Sequence, residues 1–183
     1  MQTLNGEVEA SALDHVRAVL RERAEILARA PEPESAEEIV RLVVLVVSGE
    51  RYGVDVRDVR EIRPRAAIAP VPRTPSSWLG LMNLRGNVHP VLDLAGYLGL
   101  PRSGHRPGAR VVLVSRHGTT IGLVADDVLD VRRVPTSSIR SPLGRAAGGQ
   151  GGVVTGLTDD LLSVLDLEAL LQDRSLSVGE APA

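Results

Sequence analysis

The chain from Leu42 onward alternates short runs of β-branched apolar residues with turns rich in glycine, proline and charged residues. Runs of this length, bounded by turn residues, predict β-strands. The predicted strands cover 42–47, 52–56, 60–62, 80–84, 88–92, 110–115, 119–124, 129–134, 153–157 and 161–165. Asp93 and Asp166 are favourable capping residues, so we predict short helices over 93–98 and 166–171.

This pattern occurs twice. The segment Gly53–Arg63 returns as Gly122–Arg132, an offset of 122 less 53, or 69, and Val91-Leu-Asp-Leu94 returns unchanged as Val164–Leu167. Each copy holds five predicted strands. A small open sheet would leave unpaired edges, whereas a closed barrel removes them. We therefore predict a mainly β fold of two five-stranded barrels, about 42–100 and 108–171, that share the short helices.

The amino-terminal region has a different, helical periodicity. Ser11 and Asp14 have the spacing of a capping box, and an apolar stripe follows at Leu13, Val16, Leu20, Ala24 and Leu27. The pattern predicts a helix over 12–29, either laid on the body of the protein or used to dock a partner. We assign 1–38 to this helix and its linker, 39–173 to the β domain and 174–183 to a flexible tail.

Composition excludes several classes of function. Of 183 residues, 21 are basic and 23 acidic, giving a net charge of −2 without a one-signed stripe, and only three are aromatic. A nucleic-acid interface is therefore not expected. All the basic residues are arginine, which removes a phosphate-binding or Schiff-base lysine. The absence of cysteine removes disulfides, thiolate metal sites and thiol catalysis.

No catalytic, cofactor or metal site is predicted either. The four histidines lack ligand spacing: His15, His89, His105 and His117. The densest acidic cluster, Asp126, Asp127 and Asp130, is interpreted as a solvated turn and strand edge rather than a calcium site. The glycine-rich stretch at 144–152 has no lysine and is predicted to be a flexible loop.

Membrane insertion and export are also not expected. The first ten residues lack the apolar core of a signal peptide, and the longest apolar run, Leu42–Val47, is the length of a strand. A cytoplasmic location is predicted.

The two copies differ in one informative place. Ten residues separate Gly80 from Val91, whereas seven separate Gly156 from Val164. The first copy is therefore expected to carry an extra loop that includes Asn83-Leu-Arg-Gly86. Glycine at the turn and Pro90 after it should make this loop stiff. A stiff loop that presents Arg85 suits recognition better than catalysis.

These motifs resemble the CheW-like domain of bacterial chemotaxis over roughly residues 40–172. The resemblance rests on the following segments: Tyr52–Val56, Val59–Ile62, Val71-Pro72, Leu79-Gly80, Asn83–Gly86, Pro90–Leu94, Gly122–Val124, Asp126–Val131 and Leu162–Leu171. It implies two SH3-like five-stranded barrels. It also implies a non-catalytic adaptor, without a cofactor, that is cytoplasmic and recruited to receptor arrays at the inner face of the membrane.

The implied partners are the cytoplasmic tip of methyl-accepting chemotaxis receptors and the regulatory domain of a CheA-type histidine kinase. Family positions near the receptor groove fall on Val59, Glu61, Gly80, Asn83, Leu84, Arg85 and Gly86. Glu61 and Arg85 are expected to form a charge pair there. Trp78, where the family usually has an aliphatic or smaller aromatic residue, is either an anchor at the groove or a core residue.

Two other functions stay open from the sequence. One is a CheW-like scaffold of a non-flagellar chemosensory pathway, such as twitching motility or developmental signalling, with a partner docked on the amino-terminal helix. An enzyme is the least favoured reading. The sequence assigns no residue to the kinase contact.

Overall fold

A computed structural model describes residues 37–102, 108–141 and 152–176. Ten strands occupy most of them: β1 Ile39–Val47, β2 Glu50–Asp55, β3 Val59–Pro64, β4 Trp78–Leu84, β5 Asn87–Asp93, β6 Arg110–Arg116, β7 Thr119–Ala125, β8 Asp127–Pro135, β9 Val154–Leu157 and β10 Leu162–Leu165. Helix α1 is Leu94–Tyr97 and α2 is Leu167–Gln172, and 3-10 turns form at Val56–Asp58, Thr136–Ser138 and Arg174–Leu176.

Each predicted strand and both short helices are present, with ends shifted by a few residues. The predicted helix over 12–29, nearly all of the 144–152 loop and most of the 174–183 tail lie outside the described residues. No helix in the part that the structure describes is long and apolar enough to cross a membrane.

The strands form two five-stranded sheets, but not along the predicted division. Sheet A has the order β8-β1-β2-β10-β9, and sheet B has the order β3-β6-β7-β5-β4. The prediction of one barrel from 42–100 and another from 108–171 is wrong. Each sheet combines the first two strands of one sequence copy with the last three of the other.

Parallel pairing explains this exchange. In sheet B, Val91 of β5 pairs in parallel with Gly122 of β7, and in sheet A, Val164 of β10 pairs in parallel with Gly53 of β2. A tight hairpin can join only antiparallel strands, so the parallel partner must come from elsewhere in the chain. Here it comes from the other copy.

Three apolar clusters follow from alternation along the strands. Leu42 and Val44 of β1 point into a cluster inside sheet A, and Val111 and Leu113 of β6 point into the equivalent cluster inside sheet B. The intervening side chains, such as Val43 on β1 and Val112 on β6, join a larger cluster that both sheets and both α-helices build. We call this cluster the shared core.

An isolated bridge draws together the terminal strands of each sheet. Ala69, after β3, bridges Leu81 of β4, and Arg140, after β8, bridges Leu157 of β9. Gly80 stands beside the first bridge at a φ of +134°, and a Cβ there would lie 2.0 Å from the Ala69 carbonyl oxygen. Glycine is therefore required for sheet B to close into a barrel.

Candidate functional site

The β4–β5 hairpin ends in a two-residue turn. Leu84 pairs with Asn87, so Arg85 and Gly86 alone form the turn, with φ values of 51° and 86°. Two successive positive φ values are typical of a type I′ turn, whose twist matches that of the flanking strands. The Asn83 side-chain oxygen accepts a hydrogen bond from the Gly86 N–H at 3.0 Å. The turn is thereby fixed, and Arg85 projects from it.

The predicted extra loop is not formed. β4 and β5 each contain seven residues, whereas β9 and β10 contain four each, so the additional residues of the first copy lengthen the hairpin strands. The connection in the second copy is the longer one, Thr158–Leu161. The additional residues of the first copy extend the β4–β5 pairing, because each added pair satisfies backbone hydrogen bonds.

Glu61 and Arg85 form the expected charge pair. The Arg85 guanidinium lies 3.3 Å from the Glu61 carboxylate, and Arg63 also approaches that carboxylate at 3.3 Å. Glu61 is in register with Leu113, which faces the interior of sheet B, so its side chain lies at the rim of that interior. The pair links β3 to the β4–β5 turn, and both partners belong to sheet B. The Arg85 side chain is 75% exposed.

The other predicted site residues divide into two groups. Asn83 and Gly86 are exposed beside Arg85. Val59 packs against the shared core, Gly80 is buried and Leu84 fills the interior of sheet B. The second group belongs to the packed interior, while the first is accessible to a partner.

Two apolar residues that the sequence analysis did not predict also belong to the exposed surface of the hairpin. Leu81 and Val88 are exposed on the outer face of the β4–β5 hairpin, and Val88 is the cross-strand partner of Asn83. The alternation of Leu81 and Asn83 with the buried Met82 and Leu84 could have identified this face. We call Leu81, Asn83, Arg85 and Val88 the hairpin face.

Trp78 is part of the packing of the protein. The ring packs against the shared core, and its Nε1–H donates a hydrogen bond to the Leu176 carbonyl oxygen at 3.0 Å. Nearby, the Tyr97 hydroxyl donates to the Asp173 carboxylate at 2.5 Å. Of the two alternatives for Trp78, these contacts favour a core residue that secures the carboxyl-terminal turn.

The pKa values at this contact shift in opposite directions. Burial raises the pKa of Tyr97, and the neighbouring Asp173 carboxylate raises it further. Partial burial opposes ionisation of Asp173, but the hydrogen bonds from Tyr97 and from Ser175 outweigh it and lower the pKa of Asp173.

Each carboxylate of the acidic cluster in the second copy contacts another group of the protein. Asp126 accepts the Ser48 N–H at 2.7 Å, Asp127 accepts the Val128 N–H at 2.8 Å, and Asp130 lies 3.8 Å from Arg132. Within the described ranges, no group of three or more histidine and acidic side chains has an arrangement that could hold a metal ion.

Comparison with known proteins agrees with this architecture. The CheW-like domain family matches residues 41–175. Protein FrzA of Myxococcus xanthus is 34% identical over 67% of this chain and 79% of its own length. The chemotaxis protein CheW of Bacillus subtilis is 28% identical over 74% of this chain and 88% of its own length.

A solved structure extends the likeness to three dimensions. The scaffolding protein TtCheW from Thermoanaerobacter tengcongensis superposes with a TM-score of 0.69, at 29% identity, over 75% of this chain and 96% of its own. Because the family match spans most of the chain and includes both sheets, the protein belongs to the CheW-like domain family.

Proposed function

We propose that this protein is a non-catalytic chemotaxis adaptor that couples methyl-accepting receptors to a CheA-type histidine kinase. Membership of the CheW-like family carries the proposal. The proteins named CheW among the relatives, and the scaffolding protein with the same fold, support it.

The hairpin face is the proposed receptor-binding surface. It combines exposed apolar side chains, Leu81 and Val88, with the amide of Asn83 and the guanidinium of Arg85. Interfaces commonly have this composition, with an apolar centre and a polar rim enriched in arginine. Glu61 would hold Arg85 in position for a partner. The hairpin is rigid because its turn is fixed by Asn83 and its strands pair in continuous register from Gly80 to Leu84.

Reconstitution tests the proposal. The full-length chain is mixed with a cognate receptor-tip fragment and the kinase regulatory domain, and the mixture is analysed by size-exclusion chromatography with light scattering. We expect a ternary complex at micromolar concentrations. A folded chain that binds neither fragment under those conditions would contradict the proposed function.

One observation favours a second candidate, a scaffold of a non-flagellar chemosensory pathway. The relative at 34% identity is named FrzA, whereas six relatives with CheW in their names are 25–30% identical. In this alternative the amino-terminal segment docks a special partner. Replacing Leu20 and Leu27 by glutamate would then abolish assembly, whereas the receptor–kinase adaptor should form its ternary complex unchanged.

A further inference from the structure

The face of sheet A that builds the shared core continues past that core at the start of β1. Val43 and Leu45 are buried there, and alternation places Arg41 and Ile39 on the same face. β8 lies alongside in antiparallel register, with these cross-strand pairs: Val43–Val131, Arg41–Arg133 and Ile39–Pro135. We call Ile39, Arg41, Val131 and Arg133 the sheet A patch.

The two arginines of this patch lie side by side on neighbouring strands without a counter-charge. They are directly opposite each other, an arrangement of like charges that destabilises an antiparallel pair. Neither side chain makes an ion pair or hydrogen bond within residues 37–102, 108–141 and 152–176. Some exposed arginines do so, such as Arg57 with Asp55 and Arg140 with Asp159, so the patch is distinguished by having two uncompensated arginines directly opposite each other.

The second sequence copy shows that the fold does not require this cationic pair. At the equivalent position of sheet B, Pro64 of β3 faces Arg110 of β6, so only one cation is present. The paired arginines are therefore a feature of sheet A alone, added to a framework that is otherwise repeated.

Apolar side chains flank the arginines. Ile39 is 45% exposed on one side and Val131 is 56% exposed on the other. An exposed apolar group beside an unneutralised charge matches a ligand that supplies both an apolar contact and carboxylates. We propose that the sheet A patch binds an acidic segment of a partner protein that carries apolar residues between its carboxylates.

A second copy of this chain fits the patch less well. A two-fold contact centred on the patch would bring Arg41 and Arg133 of one copy against the same arginines of the other. Two exposed apolar side chains also cover far less than the roughly 800 Å² per partner that a stable interface buries. An acidic partner instead relieves the repulsion between the arginines.

This surface is distinct from the hairpin face, which lies on sheet B, so it does not depend on the proposed receptor site. The two can therefore fail independently. Loss of receptor binding bears on the hairpin face, and loss of acidic-peptide binding bears on the sheet A patch.

The probe is a synthetic peptide that alternates glutamate and leucine, titrated into the isotope-labelled full-length chain and followed by NMR. We expect amide signals of Ile39–Arg41 and Val131–Arg133 to shift, with binding that weakens as salt is added because the contact is electrostatic. A matched peptide with glutamine in place of glutamate should bind at least about tenfold more weakly, as loss of charge-assisted contacts implies. Equal binding of the two peptides, or shifts confined to the hairpin face, would overturn the proposal.

Charge reversal provides the second measurement. Arg41→Glu with Arg133→Glu should reduce affinity for the glutamate peptide at least about tenfold. The matched control reverses Arg73 and Arg174, two exposed arginines elsewhere, and changes net charge equally. It should leave peptide binding unchanged, and circular dichroism verifies folding of both variants. Equal loss in both would show a general charge effect and refute the patch.

Analytical sedimentation tests whether a second copy of this chain occupies the patch. The wild-type chain should be monomeric over the concentrations used for the titration. A dimer that the Arg41→Glu, Arg133→Glu variant dissociates would assign the patch to a second copy and overturn the proposal.

Discussion

At the scale of single residues, the glycines of the β4–β5 hairpin set its backbone shape, and Arg85 supplies its exposed charge. Gly80 permits a close approach of two backbones, and Gly86 permits the turn, while Arg85 accepts a positive φ at the same turn. A non-glycine residue at positive φ carries strain that the surrounding structure must offset. At Arg85 that strain places a charged side chain where a partner can reach it.

Arg85→Ala is expected to leave the free energy of unfolding nearly unchanged, because an exposed ion pair contributes about 0–1 kcal/mol. Affinity for the receptor-tip fragment should fall roughly tenfold, typical of losing one interface arginine. Isothermal titration calorimetry measures the affinity. Arg73→Ala is the matched control, since Arg73 is also an exposed arginine at positive φ. Equal affinity of wild type and the Arg85 variant would remove Arg85 from the binding surface.

Gly80→Ala should destabilise the protein by about 3 kcal/mol or more, because the added methyl group would collide with the Ala69 carbonyl. Chemical denaturation measures this change. The control is Gly118→Ala, where φ is also positive but no heavy atom lies within 4 Å of the added Cβ. It should cost only about 1 kcal/mol, the strain of left-handed backbone alone. Similar losses in both variants would contradict the role of close approach at Gly80.

At the scale of elements, side-chain contacts tie the connecting segments to the sheets. Arg116, at the end of β6, donates two hydrogen bonds to Asp58 in the first 3-10 turn, at 3.0 and 2.9 Å, and also lies 3.5 Å from Glu168 of α2. The hydrogen bonds to Asp58 raise the pKa of Arg116. Three elements that are distant in sequence meet at this one guanidinium.

Arg116→Met should cost about 3 kcal/mol, because it removes the partner of the buried Asp58 carboxylate. Glu168→Gln is the control: its side chain is 45% exposed, much more than that of Asp58, so we expect a loss under about 1 kcal/mol. Thermal and denaturant unfolding compare the two. A larger loss for Glu168→Gln than for Arg116→Met would show that the contact of Arg116 with Asp58 is not the main stabilising one.

The Tyr97–Asp173 contact predicts an acid-dependent contribution to stability. The pKa of Asp173 is lower in the folded than in the unfolded chain, so its stabilisation is present at neutral pH and is lost as pH falls through the folded pKa. Tyr97→Phe should therefore flatten the acid limb of the stability profile. Asp173→Asn should do the same, and the double variant should add little to either change. Additive effects would show that the two residues act independently.

At the scale of the whole molecule, the exchange of strands makes the two barrels interdependent. Each barrel needs strands from both sequence copies, and the shared core lies between the two sheets. A break between the two copies therefore divides both barrels at once. Duplication in the sequence does not correspond to two separable folding units.

Fragments 1–102 and 103–183 should each lack native structure when alone, because each holds only parts of both sheets. Mixed together, they should associate and recover the native circular dichroism and amide dispersion, as complementary pieces of one core. Independent folding of either fragment, with native dispersion, would contradict this interdependence.

The sequence-based predictions were correct for local features and wrong for features that depend on long-range pairing. Strands and helices are local, so alternation and capping residues predicted the ten strands and both α-helices of the described residues, and the Glu61–Arg85 pair followed from the resemblance. Barrel composition was mispredicted because the pairing of β5 with β7 joins residues about 30 apart that no local signal connects. Leu81 and Val88 of the hairpin face were missed although the alternation along β4 marks the outer side of that strand, and their exposure was established only by what packs nearby.

The sequence by itself determined the strand pattern, the internal repeat and the absence of lysine and cysteine chemistry, because these are properties of neighbouring residues and composition. Only the tertiary structure decided which copy supplies each strand, and it alone placed Arg41 opposite Arg133. Cross-strand partners are fixed by long-range register, which depends on how both apolar faces are buried at once.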